Sequence, residues 1–309
     1  MTTRRNFLKN TTMLAAGLGV SPLLSSSPLR SYQKEEVING KVRIAVIGVG
    51  MGCRDLQGAL TDNPWVHCVG MCDVNKVRLE EQLARFKKDF PEQTVSIKAY
   101  TDFREVLANK EIDGVIIATP DHWHPYIFAE ALKAGKAIYV EKPVGNSISE
   151  CNAMMDFQKK YKGVVTTGLW QTSQRYFRAA NEILKSGVLG DVYKVQLWLC
   201  QSTNPRPSVE DSEAPSTLDY DMWLGPAPER PFNNSRFRGW RGFWDYGGGQ
   251  QTDWGVHWID SAFDGLKALG LCDREYPDAV FSIAYKDPAS FNDCLLYTSD
   301  AADDLTRVD

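Results

Sequence analysis

Residues 43–52 have the sequence RIAVIGVGMG, which is the strongest indication of the fold in this chain. The first half of this stretch is dominated by isoleucine, valine and alanine, which is typical of a strand buried on both faces of a parallel sheet. Gly48 permits a tight turn after this strand, and Gly50 lets the backbone approach a pyrophosphate at the start of the next helix. Met51 and Gly52 belong to the same loop, and a cysteine follows them where glycine or alanine is usual. The stretch therefore predicts a βα unit that binds a dinucleotide.

An acidic residue follows the second predicted strand. Residues 66–72 form a short apolar run that ends at Asp73, about 20–25 residues beyond the glycines. A carboxylate there accepts hydrogen bonds from the adenosine ribose and repels a 2′-phosphate, so we expect NAD rather than NADP. Lys76 and Arg78 lie close in sequence and keep NADP as an alternative, and Asp73 could instead cap a turn or helix.

Strand and helix patterns then alternate along the chain. Predicted helices at residues 77–89, 102–108 and 126–134 separate predicted strands at residues 96–100, 114–118 and 137–140. Repeated βα units of this kind predict an α/β fold with a doubly wound parallel sheet, whose ligands bind beyond the carboxyl ends of the strands.

Polar motifs follow two of these strands. Thr119 and Pro120 come directly after one strand, with His124 shortly behind, and Glu141 and Lys142 come directly after the next. Because the carboxyl ends of parallel strands share one edge of the sheet, we expect all five residues to contact the nucleotide. Lys142 is also a catalytic candidate, since its ammonium group could stabilise an alkoxide, or act as a base if burial lowers its pKa. The alternative is an ordinary solvated lysine.

Asp253 and His257 are four residues apart in a segment predicted to be helical from residue 252 to 270. On one helix face they would suit proton transfer, because histidine titrates near neutrality and a carboxylate can orient it. The alternatives are a helix cap beside a buried structural histidine, or a metal site. The other histidines have no ligand spacing to this pair, so no metal is predicted.

Two further groups are candidates for substrate contacts. Gln171, Arg175 and Tyr176 follow a predicted strand, and Trp240 and Arg241 belong to a segment that interleaves arginine with aromatic residues. Aromatic faces can stack on sugar rings and arginine can bind hydroxyl groups. Packing at a domain junction or an interface would explain the same residues.

Composition excludes several classes of protein. The chain has 309 residues, of which 43% are hydrophobic and 24% charged, which indicates a globular protein of about two domains. A formal net charge of −4 provides no basic surface for nucleic acid, so no nucleic-acid partner is expected. The seven cysteines include no C-x-x-C pair, which argues against a zinc site or a disulfide scaffold.

Both ends of the chain are predicted to lie outside the fold. Residues 3–9, TRRNFLK, precede a short apolar stretch and a Ser/Pro-rich segment, and resemble the consensus of a bacterial twin-arginine (Tat) signal. Residues 1–40 are therefore predicted to be a Tat signal and linker that sends the protein to the periplasm, with a disordered basic terminus as the alternative.

Residues 294–309 resemble a translated sequencing adapter, so we expect the natural protein to continue differently after Asp293. A genuine polar tail is the alternative.

Longer motifs resemble those of a known family. Glu-Lys-Pro at residues 141–143 follows a buried strand, with TPDHWH at residues 119–124 one βα unit earlier. Residues 247–257, GGGQQTDWGVH, and residues 220–228, YDMWLGPAP, complete the set. From about residue 41 to residue 293 the chain resembles the glucose–fructose oxidoreductase/inositol dehydrogenase/MocA (Gfo/Idh/MocA) family.

The resemblance implies a division of the chain and of its site. It implies a Rossmann domain at residues 41–165 and an α+β domain at residues 166–293, truncated here, with an open, mostly antiparallel sheet that makes homo-oligomer contacts. The sequence predicts only two strands in this second domain, at residues 193–200 and 279–285, which are too few for that sheet. We expect a chain with such an incomplete sheet to be poorly soluble. The resemblance makes His257 the catalytic acid/base, with Asp253 supporting it and Lys142 beside it.

Three functions follow as hypotheses. The first is an exported NAD(H)-dependent oxidoreductase that transfers hydride between nicotinamide and a secondary hydroxyl of a sugar, glycoside or polyol. The second is an NAD-dependent glycoside hydrolase or lyase that acts through a transient keto-sugar. It ranks lower because the glycosidase branch of the family carries a Y-P-T-H-G-type segment where this chain has QTDWGVH, residues 251–257. The third is a nucleotide- or carbohydrate-binding protein without turnover, which would have no need of a lysine, an aspartate and a histidine for proton transfer.

Overall fold

A six-stranded parallel sheet forms the centre of the chain. The computed structural model describes residues 41–50, 63, 65–91, 96–197, 208–271 and 291. The strands lie in the order β3-β2-β1-β4-β5-β6, and the order reverses between β1 and β4, where ligands of such sheets bind. They are β1 (Val42–Ile47), β2 (Val66–Cys72), β3 (Lys98–Tyr100), β4 (Gly114–Ile117), β5 (Ala137–Val140) and β6 (Val165–Thr167). The predicted α/β class and doubly wound parallel sheet are confirmed.

Helices cover both faces of the sheet because β1 alternates its side chains between two cores. Ala45 and Ile47 point to one core, which α2, α3 and α4 complete, while Val46 points to a second core with Leu79 and Phe86 of α1. These helices are α1 (Lys76–Asp89), α2 (Phe103–Ala108), α3 (His124–Lys133) and α4 (Ile148–Tyr161).

Polar side chains fix where three of these helices begin. Asn75 accepts a hydrogen bond from the Arg78 amide at 3.2 Å, and Asp102 accepts one from the Arg104 amide at 2.9 Å. Ser147 and Glu150 form a capping box at the start of α4. Each cap satisfies backbone N–H groups that have no partner inside the helix.

An ion-pair network closes the amino end of the sheet, away from the expected ligand edge. The Arg43 guanidinium donates to both carboxylate oxygens of Asp113, at 3.0 and 2.9 Å, and Nη1 lies 2.5 Å from Glu111. Arg43 and Asp113 are largely buried whereas Glu111 is exposed. Losing the Asp113 side chain should therefore destabilise the chain more than losing the Glu111 side chain.

The second region of the chain is helical where it is described. Its helices are α5 (Arg175–Lys185), α6 (Tyr220–Leu224), α7 (Asn234–Arg238), α8 (Gly249–Asp253) and α9 (Gly255–Ala268). A buried aromatic cluster around Trp223, Phe243 and Tyr246 joins this region to the first domain. His122 Nε2 lies 2.9 Å from the Trp223 carbonyl oxygen, and the Trp123 indole donates to the same oxygen at 3.0 Å.

Some expectations for the second domain differ from the structure or lie outside it. The sequence predicts a strand at residues 193–200, but the described part, residues 193–197, is not a strand and pairs with none of the described strands. Tyr193 in this segment is 96% exposed. The described residues contain two isolated antiparallel bridges, Asn75–Leu218 and Ser212–Phe232, rather than an antiparallel sheet. Residues 279–285, the other expected strand, lie outside the described residues, and the sheet stays a prediction. β6 crosses the domain boundary expected at residue 165.

The terminal segments, residues 1–40 and 294–309, also lie outside the described residues. Within the part that is described, no helix is both long enough and apolar enough to cross a membrane.

Candidate active site

The glycine loop after β1 is pinned to the end of β4. Gly48 has a φ of +88°, and a Cβ atom at this position would lie 2.6 Å from the Ala118 carbonyl oxygen. Only glycine tolerates both the conformation and the contact. Among the described residues, a Cβ on Gly50 would instead meet only the Arg78 guanidinium, at the ordinary contact distance of 3.6 Å. Met51 and Gly52 lie outside the described residues.

Asp73 braces this loop from the end of β2. Its carboxylate accepts hydrogen bonds from the backbone amides of Val49, at 3.0 Å, and Asn75, at 2.8 Å. Burial raises the pKa of Asp73, while these amides and the charge of Arg78 act in the opposite direction. Asp73 therefore has the turn-stabilising role that the sequence left open, and its contact with a ribose stays a prediction.

His124 joins the two motifs at the carboxyl ends of β4 and β5. It is 1% exposed, with Nδ1 2.7 Å from the Pro143 carbonyl oxygen and Nε2 2.9 Å from the Thr119 carbonyl oxygen. Burial lowers its pKa to about 4 although both carbonyls favour the charged ring. Both ring nitrogens lie against carbonyl groups of the protein, and the expected contact between His124 and the nucleotide stays a prediction. The neighbouring Thr119 hydroxyl is buried and has no hydrogen-bond partner among the described residues.

These features fit a bound dinucleotide. Gly50 suits a pyrophosphate, because a backbone without a side chain can approach the phosphate groups closely. The buried Thr119 hydroxyl provides a hydrogen-bonding group for a ligand at the same edge. Pro120 stands beside it, at the start of the 3-10 helix Asp121–Trp123.

Lys142 and Asp253 meet across the two regions of the chain. Lys142 Nζ donates to the Asp253 backbone oxygen at 2.7 Å and also to the carboxylate oxygen Oδ1. Arg241 Nε lies 3.2 Å from the same Oδ1, so one carboxylate holds two cations. Burial disfavours the ionised form of Asp253, but Arg241 and Lys142 outweigh it and lower its pKa. The side chains of Lys142 and Asp253 are only 14% and 12% exposed, which strengthens the pair relative to a surface ion pair.

His257 lies in the first turn of α9, close to this pair. Its ring is 3% exposed and is flanked by the indoles of Trp170 and Trp254, with ring centroids 5.6 and 6.2 Å away. Burial and the charge of Lys142 lower the pKa of His257 to about 4, against the effect of Asp253. The imidazole is therefore neutral at neutral pH, and its Nδ1 has no hydrogen-bond partner among the described residues.

The single helix expected for residues 252–270 is wrong. Asp253 is the last residue of α8, and His257 lies in the first turn of α9, with Trp254 between the two helices. The Trp254 carbonyl accepts from the amides of both His257, at 3.0 Å, and Trp258, at 3.3 Å, which tightens the turn there. Asp253 and His257 are electrostatic neighbours but do not stack on one continuous helix.

Two further carboxyl groups belong to the site, and the sequence predicted only one of them. Asp121 is 3% exposed, and its Oδ2 lies 3.2 Å from where a Cβ on Gly247 would be. Burial raises the pKa of Asp121 well above its usual range; Arg241 and Lys142 act against this shift, and Asp253 adds to it. The signal for Asp121 was its place directly after Thr119-Pro120. Glu141, which was predicted, accepts from the Lys142 amide at 3.3 Å, and burial raises its pKa.

The candidate substrate residues lie at different distances from the Lys142–Asp253 pair. Trp240 and Arg241 lie at the site, since the Arg241 guanidinium stacks 4.3 Å from the Trp240 ring centroid and pairs with Asp253. Gln171 is 4% exposed, and its Oε1 is buried without a partner in the described part of the chain. Arg175 and Tyr176 lie exposed at the start of α5, and no described hydrogen bond or ion pair joins them to the Lys142–Asp253 pair.

Two family models match the two regions of the chain. The family model described as "Oxidoreductase family, NAD-binding Rossmann fold" matches residues 42–169. A second, described as "Oxidoreductase family, C-terminal alpha/beta domain", matches residues 178–267. The chain belongs to the Gfo/Idh/MocA family, and its first domain is the NAD-binding domain.

Similar proteins carry two kinds of name. An α-N-acetylgalactosaminidase from Tannerella forsythia is 33% identical over 163 residues, 48% of this chain and 34% of that protein. A glycosyl hydrolase family 109 protein from Parabacteroides distasonis is 27% identical over 201 residues, 62% of this chain and 43% of that protein. An inositol 2-dehydrogenase from Salmonella typhimurium is 24% identical over 151 residues, 48% of this chain and 43% of that protein. The chain spans less than half the length of each of these relatives.

A solved structure shares the fold. The WlbA dehydrogenase from Bordetella pertussis, in complex with NADH and UDP-GlcNAcA, superposes with a TM-score of 0.52 at 19% identity, covering 71% of this chain and 58% of that one. The described residues contain no group of three or more His, Cys, Asp or Glu side chains placed to hold a metal ion.

Proposed function

We propose that this chain is an NAD(H)-dependent oxidoreductase that transfers hydride between nicotinamide and a secondary hydroxyl of a sugar, glycoside or polyol. The observation that carries the proposal is the contact of Lys142 with Asp253, which joins the lysine at the end of β5 to the second domain beside a neutral histidine. Oxidising an alcohol needs a group that takes the hydroxyl proton and a charge that stabilises the developing alkoxide. His257 and Lys142 provide these two functions.

Lys142 is arranged to keep one donor for the substrate. An ammonium group has three N–H donors, and two of them are used by the carbonyl and carboxylate oxygens of Asp253. The third is available to the oxygen of the reacting hydroxyl. Asp253 holds the Lys142 side chain in place, while Arg241 and Lys142 lower the pKa of Asp253 and keep it ionised.

His257 is arranged to accept the hydroxyl proton. Its low pKa leaves the ring neutral. In the tautomer that carries its proton on Nε2, the Nδ1 lone pair is the acceptor, and it has no competing partner among the described residues. When bound, NAD supplies the hydride acceptor. In the reverse direction His257 returns the proton, and Lys142 again stabilises the charge on oxygen.

Glycoside cleavage is the second candidate, and the names of two similar proteins favour it. Both the α-N-acetylgalactosaminidase and the family 109 glycosyl hydrolase are more similar in sequence than the inositol 2-dehydrogenase. In such a reaction the same proton and hydride transfers would first create a keto-sugar, and a later elimination would release the aglycone. The site described here serves the first step of either outcome.

The two outcomes are separated by one pair of measurements. The purified chain would be incubated with NAD and with methyl hexosides, myo-inositol, glucitol and p-nitrophenyl N-acetylgalactosaminide. Net NADH formation without p-nitrophenol release supports the oxidoreductase, whereas p-nitrophenol release without net NADH supports the glycosidase. Lys133→Ala, which removes a lysine at the surface of α3, is the control for Lys142→Ala. Equal turnover in Lys142→Ala and Lys133→Ala would refute the proposed role of Lys142.

Export and assembly belong to the same proposal. The twin-arginine sequence of residues 3–9 supports export to the periplasm by the Tat machinery. Replacing both Arg4 and Arg5 with lysine should leave the protein inside the cell, as cell fractionation would detect. Homo-oligomerisation is proposed for the full-length protein, and light scattering after size-exclusion chromatography would test it.

A further inference from the structure

Trp170 is an exposed indole placed directly against the proposed catalytic histidine. It is 43% exposed, although its ring centroid lies 5.6 Å from that of His257, which is itself 3% exposed. An exposed indole normally finds an apolar partner, because burying its surface is favourable. Trp170 instead keeps a large exposed fraction while it contacts the His257 ring.

The chain around Trp170 ties it to the catalytic lysine as well. The Glu141 carboxylate lies 2.7 Å from where a Cβ on Gly168 would be, so the backbone two residues before Trp170 packs against the neighbour of Lys142. On its other side, the 3-10 helix Trp170–Ser173, which holds the indole, packs against α9. Trp170 is thus fixed between the end of β5 and α9, the two elements that supply Lys142 and His257.

A buried and unsatisfied polar group accompanies the indole. Gln171, the next residue, is 4% exposed, and its Oε1 has no hydrogen-bond partner in the described residues. An unpaired buried acceptor is costly, and a ligand that donates a hydrogen bond would remove the cost. An apolar ring with an unpaired acceptor on the next residue suits a sugar, because a pyranose has an apolar C–H face and a rim of hydroxyl groups.

We propose that Trp170 is a stacking platform for the C–H face of a pyranose ring, and that it selects cyclic sugars over acyclic polyols. The inference deepens the proposed function and rests on it. The electron-rich face of the indole attracts the weakly positive C–H bonds of the ring, which an acyclic chain cannot present together on one side. The stacked ring would carry its hydroxyl towards His257.

The test compares binding and turnover in matched variants. Trp170→Ala should raise KM for methyl α-glucopyranoside about tenfold or more while changing kcat less than about threefold. Trp170→Phe, which keeps an aromatic face, should stay within about threefold of the wild type in KM. KM for glucitol and the Kd for NADH should change little in both variants. Trp65→Ala is the control, because Trp65 is 69% exposed at the amino end of β2, at the opposite edge of the sheet.

A binding measurement keeps this inference separate from the proposed reaction. Methyl α-glucopyranoside would be titrated into the NADH complex of each variant by calorimetry, with no turnover required. If no compound is oxidised or cleaved but Trp170→Ala still weakens pyranoside binding, the reaction is refuted and the platform survives. Equal losses for pyranoside and glucitol, a weakened NADH complex, or unchanged pyranoside binding would each overturn the platform.

Discussion

Replacing Gly48 with alanine tests how the glycine loop is built. The new Cβ would lie 2.6 Å from the Ala118 carbonyl oxygen and 2.7 Å from the Thr119 amide nitrogen, at a residue whose φ is +88°. The left-handed conformation alone costs a non-glycine residue about 1–2 kcal/mol. The contact is with backbone, which no rotamer change can relieve, and displacing it should cost roughly 1–3 kcal/mol more. We therefore expect a loss of about 2–5 kcal/mol in the free energy of unfolding.

Two other glycines separate these effects. Gly135 has a φ of +70°, but a Cβ there would meet nothing within 4 Å, so Gly135→Ala should lose only about 1–2 kcal/mol. Gly50 has no strained φ, and among the described residues a Cβ there would contact Arg78 alone, at 3.6 Å, so Gly50→Ala should change stability by less than about 0.5 kcal/mol. It should nevertheless weaken NADH binding about tenfold or more, because the methyl group fills the space expected for the pyrophosphate.

Urea unfolding and NADH fluorescence titration would measure both quantities for the three variants. The expected order of stability is Gly50→Ala, then Gly135→Ala, then Gly48→Ala. NADH affinity should fall in Gly48→Ala and Gly50→Ala but not in Gly135→Ala. If Gly48→Ala is as stable as Gly135→Ala, the close approach of the loop to β4 is refuted. If Gly50→Ala binds NADH normally, the pyrophosphate does not lie at this loop.

The remaining predictions concern the stability of the first domain. Asp113→Ala should destabilise the chain by about 3 kcal/mol in urea unfolding, because it leaves Arg43 largely buried without its bidentate partner. Glu111→Ala should lose less than about 1 kcal/mol, since the Glu111 side chain is 73% exposed; equal losses would contradict this division. The pKa of His124 is lowered to about 4 in the folded chain, below its unfolded value of 6.5, so its stabilising effect is complete above pH 6.5 and declines as the pH falls towards 4. His124→Gln should therefore reduce the slope of unfolding free energy against pH in this window by roughly 1 kcal/mol per pH unit, and an unchanged slope would refute the lowered pKa.

The parallel sheet was predictable because its signals are local. The β-branched runs, the glycines after β1 and the polar residues at the strand ends each fix a feature within a few residues of sequence. The same edge argument placed Lys142 at the site, and the structure brings it into contact with Asp253, 111 residues away. The roles of these two residues in catalysis stay predictions.

What the sequence did not show depends on burial and on distant contacts. The place of His124 after β4 predicts a nucleotide contact, but it does not show the two carbonyl groups from different loops that flank the ring. Asp121 gained its importance from Arg241 and Lys142, which approach it only in the folded chain. The kink at Trp254 arises from one carbonyl shared by two amides, which helical periodicity does not register.

We propose that Lys142 and Asp253, which belong to different domains, depend on each other in the oxidation step. A double-mutant cycle measures this coupling. The rate of NADH formation would be measured in single turnovers for Lys142→Met, Asp253→Asn and the double variant, on a sugar that the wild type oxidises. We expect each single variant to lose about 10²–10³-fold in rate, and the double variant to be no slower than the slower single by more than about threefold. NADH affinity would be measured for each variant, so that a loss of nucleotide binding is separated from a loss of rate. Losses that multiply in the double variant, or a Lys142→Met variant that keeps the wild-type rate, would contradict the claim.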